Sequence, residues 1–167
     1  MVVVRVLRVF MRVISKSERV LRLWVRVSGT LHLFLYRLTG GWICERIGLR
    51  GGRVLLLTTT GRKTGKPRTI PLLSITDADD LVIIASNGGQ ERHPAWWLNL
   101  KANPEAKVQI GRKTIRVRSE LADSVKRSQL WSRFTAVNPG YIDYQKRTLR
   151  EIPIVILHSL ESLEGKS

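Results

Sequence analysis

The sequence predicts an α+β fold built on a barrel of about six strands, and three observations predict it. Short β-branched runs separated by turn chemistry fill the chain from Arg53 to His158, the signature of a compact β domain. Helical stretches enter late and irregularly, whereas a doubly wound sheet would alternate strand and helix. A length of 167 residues suits one ordinary core and is too short for two.

The elements follow in order. Residues 1–50 carry Arg5, Arg8, Arg12, Lys16, Arg19, Arg22 and Arg26 at spacings of three or four, which place one basic stripe along a helix covered elsewhere by apolar side chains. A basic residue interrupts every short apolar run, so the segment neither spans a bilayer nor serves as a secretory leader. A second apolar stretch, Leu31 to Leu38, follows Ser28-Gly29 and ends at Gly40-Gly41. Two readings of this amphipathic segment stand: a helix packed on the domain with a solvated arginine face, or an interfacial helix on an anionic membrane surface.

After a glycine-rich linker, Gly48 to Gly52, strands are expected at Arg53 to Thr60, Arg68 to Thr76, Leu81 to Ser86, Ala106 to Ile110, Lys113 to Ser119 and Ile152 to His158. Turns at Asp77-Ala-Asp-Asp80 and Gly111-Arg112 close two hairpins. One helix starts near His93-Pro94 and ends before Asn103-Pro104; another runs from Asp123 to Val137, stopped by Asn138-Pro139-Gly140. The barrel domain covers residues 51–160, and 161–167 form a short tail.

A hydrophobic content of 43% with 25% charged residues excludes a disordered chain. The balance of 29 Lys and Arg against 13 Asp and Glu, a formal +16, points to anionic partners. Cys44 is the single cysteine, so no internal disulfide forms and the chain reads as cytoplasmic. His32, His93 and His158 lack metal-ligand spacing, and no metal is expected.

Three constellations carry chemistry. Gly61-Arg-Lys-Thr-Gly65-Lys-Pro-Arg68 joins two strands, and its backbone amides, Thr64 and its cations are candidates to converge on an anion. It is no Walker A loop, because three residues separate the glycines and Pro67 follows the lysine; an ordinary exposed hairpin loop is the competing reading. Next, Ala85 to Asn99 turns from a strand end through Gly88-Gly89 into a helix. Such a corner suits a flat ligand, with Ser86 and Asn87 offering hydrogen bonds. Trp96 and Trp97 serve there as core or as stacking platform. Finally, Tyr141 and Tyr144 share a face if their segment is helical, where they donate hydrogen bonds to a developing oxyanion or anchor a helix.

The strings VLLLTTTGRKTGKPRT at 54–69, ASNGGQERHPAWWLNLKANP at 85–104 and PGYIDYQKRTLREIPIVIL at 139–157 closely resemble the deazaflavin-dependent nitroreductase family, which includes F420H2-dependent quinone reductases. The resemblance covers about residues 53–158, with the motifs in the same order.

It implies a split β-barrel that binds coenzyme F420, a deazaflavin with a phosphodiester and a polyglutamate tail. By resemblance, Arg62, Lys63, Thr64 and Arg68 hold the anionic part. The ring is lined by Thr69, Ile70, Pro71, Leu72 and Leu73, by Ile84, Ala85, Ser86 and Asn87, and by Ala95, Trp96, Trp97, Leu98 and Asn99. Tyr141, with Tyr144, faces the substrate side, where the reduced form F420H2 delivers a hydride to a quinone such as menaquinone or to a nitroaromatic-like acceptor. Asn87 stands where the family's best-known nitroreductase has lysine and Asn138 where it has tyrosine, which weighs against nitroimidazole reduction. An FMN-binding split barrel and a non-catalytic cofactor- or nucleic-acid-binding module are the alternatives. Nucleic acid is disfavoured, since the body lacks a recognition helix and its basic loop is not interleaved with aromatics.

Overall fold

The structure is a computed structural model that describes residues 51–160. The expected N-terminal helix, His32, Cys44 and the tail 161–167 lie outside the described residues. Within them the chain forms β1 (Arg53–Thr60), β2 (Pro67–Asp77), β3 (Asp80–Ile84), a 3-10 turn at Asn87–Gly89, α1 (Ala95–Ala102), β4 (Glu105–Ile110), β5 (Lys113–Leu121), α2 (Ser124–Val137), α3 (Gly140–Lys146) and β6 (Ile154–Ser159). The strands close into one antiparallel barrel in the order β1-β2-β3-β6-β5-β4, the expected α+β barrel.

Both hairpins form where turn chemistry placed them. Asp77 pairs with Asp80 across Ala78-Asp79, and Ile110 pairs with Lys113 across Gly111-Arg112, with Gly111 at φ 58° in the region glycine enters freely. Apart from β1, the strands differ from expectation by one or two residues at one end or both, and at the start of the last strand proline is the reason. The last strand was expected from Ile152 but begins at Ile154, because Pro153 has no N–H to give the ladder. Its carbonyl still accepts Ala85 N at 2.8 Å. Beyond that bond the opposing strand ends at Ile84 and Ser86 turns to helical angles.

The period-two alternation of β3 and β6 decides the layering. Ile83, Val155 and Leu157 join Leu55, Leu57, Val108, Val117 and the α1 residues Trp96, Trp97 and Leu100 in one buried cluster, the barrel interior. The opposite-facing Val82, Ile84, Ile154 and Ile156 join Leu130, Phe134 and Tyr141 in a second cluster, outside the barrel beneath α2 and α3. These two strands are therefore buried on both faces.

Helix α2 begins where Asp123 Oδ1 accepts Lys126 N at 2.8 Å, a side-chain N-cap. It is held to the β2–β3 turn by Asp77, which pairs with both Lys126 and Arg133. A third helix, α3, starts directly after the Asn138-Pro139 stop, where Asn138 breaks to extended angles and Pro139 returns at φ −57°, ψ −20°. Asn-Pro-Gly reads locally as a terminus, yet proline's fixed φ also starts a helix.

Candidate functional site

The basic loop between β1 and β2 is a closed turn. Gly61 N donates to Lys66 O at 2.9 Å, while Thr64 N and Gly65 N both donate to Gly61 O, at 3.0 and 2.7 Å. Gly65 supplies the left-handed φ of 65° that the turn requires. Lys66 N donates to Thr64 Oγ1, and Arg62 N to Asn99 Oδ1 at 3.2 Å. Five loop amides are thus consumed by the protein itself. The backbone nest expected from the sequence is spent on the fold, and the capacity for an anion rests on side chains. Arg62, Lys63, Lys66 and Arg68 are exposed, and none of the four pairs with a carboxylate among the described residues. They supply an uncompensated positive field at one end of a cleft.

Asn99 joins the walls of that cleft. It lies on α1 with 4% of its surface exposed. Its Nδ2 donates to Thr59 Oγ1 at 3.1 Å and its Oδ1 receives Arg62 N, so one buried amide binds helix, strand end and loop. Cross-strand bonding between Thr58 Oγ1 and Thr69 Oγ1 at 2.9 Å fixes the adjoining rung.

The opposite wall is the corner after β3. Asn87, Gly88 and Gly89 stand at φ 50°, 65° and 78°, three successive left-handed residues of which the first pays a steric cost. Asn87 Nδ2 donates to Arg92 O at 2.9 Å and Gln90 Oε1 at 3.2 Å, spending its donors within the corner. At Gly89 a Cβ would fall 2.5 Å from Tyr144 O and 2.9 Å from Tyr144 Cα, so only glycine lets the turn lie against α3. Arg150 reaches the same corner from the segment before β6, donating to Gln90 O at 2.9 Å, Ser86 O at 2.8 Å and Ala85 O at 3.3 Å. Its Nη1 also meets His93 Nδ1 at 3.2 Å. Burial, then the charges of Arg150 and Lys101, hold His93 below its ordinary pKa, which favours a neutral ring that accepts from the guanidinium.

Between these walls lies a cleft of about 470 Å³ lined by Gly61 to Thr64, Arg68 to Ile70, Asn87, Pro94 to Trp96 and Asn99. Of the residues expected from the sequence, Arg62, Lys63, Thr64, Arg68, Thr69, Ile70, Asn87, Ala95, Trp96 and Asn99 meet there. Pro71, Leu72, Leu73, Ile84, Ala85, Ser86, Trp97 and Leu98 are not part of its lining. Trp97 and Ala85 fill the barrel interior, with Leu72 against it, and Ile84 belongs to the outer cluster, with Leu73 against that one. Trp96 does both jobs, lining the cleft while 5% exposed.

Nor does the structure bring Tyr141 to the cleft. It is 7% exposed in the outer cluster, edge-on to Phe134 at 5.7 Å and to Tyr144 at 5.8 Å. The two tyrosines do share one face of α3, as their spacing requires. Burial first, and Tyr144 second, push the Tyr141 phenol far above its ordinary pKa. It stays protonated, able to donate a proton in a hydrogen bond but not to act as a base. Sequence reasoning missed Gly61 and Pro94 as lining residues and Arg150 as support. Gly61 was visible, since it opens the loop motif; nothing marks Arg150 among 29 Lys and Arg.

Comparisons with known proteins show the family. The family model for F420H(2)-dependent quinone reductase matches residues 30–159. An F420H(2)-dependent quinone reductase of Mycobacterium tuberculosis is 41% identical over 130 residues, spanning 76% of this chain and 87% of that protein. Among solved structures, an F420-H2 dependent reductase, FDR-A, superposes with a TM-score of 0.59 at 35% identity, over 65% of this chain and 95% of that one. Another, described as a domain-swapped dimer, gives a TM-score of 0.60 at 32% identity, over 81% and 97%. With a split β-barrel, and with a matched region that contains both walls of the cleft, the chain belongs to the F420H(2)-dependent quinone reductase family.

Proposed function

We propose that the cleft holds coenzyme F420 with its phosphodiester and polyglutamate end on Arg62, Lys63, Thr64 and Arg68 and its ring against Thr69, Ile70, Asn87, Ala95, Trp96 and Asn99. Membership of the family makes the protein an F420H2-dependent oxidoreductase with quinones as its acceptor class. One observation supports the residue assignment above the others. The cleft is polar and cationic at the loop and apolar at Pro94, Ala95, Trp96 and Ile70, the same asymmetry as a flat ring with a charged tail. The residues present fit the cofactor.

The bound deazaflavin supplies the hydride. What the protein supplies is orientation. Loop cations fix the tail by charge, Asn99 keeps the loop against α1, and Trp96 with Ala95 offers an apolar wall that excludes water from one side of the ring. On this reading Tyr144 bears on the corner through its backbone, which abuts Gly89, and Tyr141 packs behind Tyr144. Titration of the purified protein with oxidised F420, followed by cofactor fluorescence, should give saturable binding. A flat titration contradicts the assignment.

The proposal extends to the membrane. Residues 1–50 contain ten Lys and Arg against Glu18 and Glu45 amid apolar side chains, a composition suited to an anionic bilayer surface where quinones partition. No helix of the described residues is long and apolar enough to cross a membrane. Deleting residues 1–28 should abolish sedimentation with anionic liposomes; unchanged sedimentation contradicts this role.

A further inference from the structure

The five N–H groups of the Arg150 guanidinium all have acceptors in one place. Nε donates to Gln90 O, Nη1 to Ala85 O and His93 Nδ1, and Nη2 to Ala85 O and Ser86 O. These acceptors flank Asn87 on both sides and end next to Pro94, two residues of the cleft lining. The arginine itself is not part of that lining.

We infer that Arg150 is a positioning residue for the cofactor cleft, setting the shape of the ring-side wall through the corner between Ala85 and His93. The inference rests on the proposed placement of F420 in this cleft. Its physical basis is convergence. Three backbone carbonyls from a segment of six residues turn their negative ends toward one point, and they repel one another unless a cation sits there. The same segment carries the left-handed Asn87, a conformation that persists only where surroundings over-determine it. A planar fork with five donors does so; an ammonium, with at most three, leaves acceptors unmet.

Arg150 is itself held firmly. Gln145 Nε2 donates to Arg150 O at 2.9 Å and Gln145 Oε1 accepts Ile152 N at 3.0 Å. From the other side, Glu91 Oε1 accepts Leu149 N at 3.1 Å. Corner, α3 and the segment leading into β6 are therefore tied together, so a distortion at Arg150 is passed to Asn87 rather than absorbed by its own loop.

The test compares Arg150→Ala and Arg150→Lys with Arg127→Ala, an arginine that bonds Ile152 O and Glu151 away from the cleft. For each, the dissociation constant for oxidised F420 and the KM values for reduced F420 and a menaquinone analogue are measured, with melting temperature as a control for folding. Expected is a rise of about tenfold in the F420 dissociation constant and KM for both Arg150 variants, about the worth of one charge-assisted hydrogen bond. The acceptor KM should change by less than about twofold, and added guanidinium ion should restore much of the affinity of Arg150→Ala. Arg127→Ala should bind F420 as wild type does. Should Arg150→Ala not fold, Arg150→Lys carries the test. Wild-type affinity in Arg150→Lys, or equal losses in Arg127→Ala, overturns this inference alone. Absence of F420 binding by the wild-type protein overturns the cleft assignment and the inference with it.

Discussion

Asn99 Oδ1 accepts the backbone N–H of Arg62 at 3.2 Å, so a buried amide on α1 sets where the basic loop begins. The same side chain donates to Thr59 Oγ1. Replacing Asn99 with leucine keeps the volume but strands both partners, one of them the buried Thr59 hydroxyl. The expected cost is about 1–3 kcal/mol of stability, read as a lowered denaturation midpoint, together with weaker F420 binding as the loop loses its anchor. Unchanged stability would mean that water or a shifted loop replaces Asn99.

The two corner glycines make a paired prediction. Gly88 has φ 65° with nothing within 4 Å of a built Cβ, whereas Gly89 has φ 78° and a Cβ 2.5 Å from Tyr144 O. Gly88→Ala should cost only the left-handed backbone penalty, about 1–2 kcal/mol. Gly89→Ala adds a clash with backbone, which cannot rotate away, and should cost visibly more. Equal denaturation midpoints for the two variants would show that α3 does not press on the corner.

Acidification should weaken the corner through His93. Its folded pKa lies below the ordinary value, so between those two values the unfolded chain binds more protons. The stabilisation is then complete above about pH 6.5 and is lost as pH falls toward the folded pKa. His93→Asn lacks the titrating ring. The melting-temperature advantage of wild type over this variant should shrink from about pH 7.5 to about pH 5; an advantage that is constant or grows on acidification contradicts the assignment of a neutral acceptor ring.

How much of this was legible beforehand depended on range. The hairpins at Asp77 to Asp80 and Gly111-Arg112 could be read because turn chemistry is local. The start of α2 near Asp123 was readable for the same reason. Helix α3 was obscured by Asn138-Pro139-Gly140, a signal that stops one helix and permits another. The burial of Tyr141 depends on Phe134 and on β3 and β6 beneath it, which no local window contains. Similarly, the loop's richness in glycine and cations was plain, but the internal use of its amides required the closed turn and Asn99, dozens of residues away. Arg150 carries no pattern at all; its role exists only because β6 returns beside β3.

The loop cations yield a prediction about salt. Lys63→Ala with Arg68→Ala removes two exposed charges that no described carboxylate compensates. Affinity for F420 should fall by about tenfold or more at low ionic strength, and the loss should narrow as salt screens the remaining field. Fluorescence titration at several salt concentrations checks this. An affinity unaffected by the double substitution would place the anionic tail elsewhere.

The most direct test of the account is the rate at which reduced F420 is oxidised by the purified full-length protein, followed spectrophotometrically with a menaquinone analogue and, separately, with a nitroimidazole. Catalysed oxidation with the quinone, lowered in Lys63→Ala/Arg68→Ala through a raised F420 KM, is the expected result. Turnover that is unaffected by those substitutions, or absent with the quinone while the nitroimidazole is reduced, would contradict it.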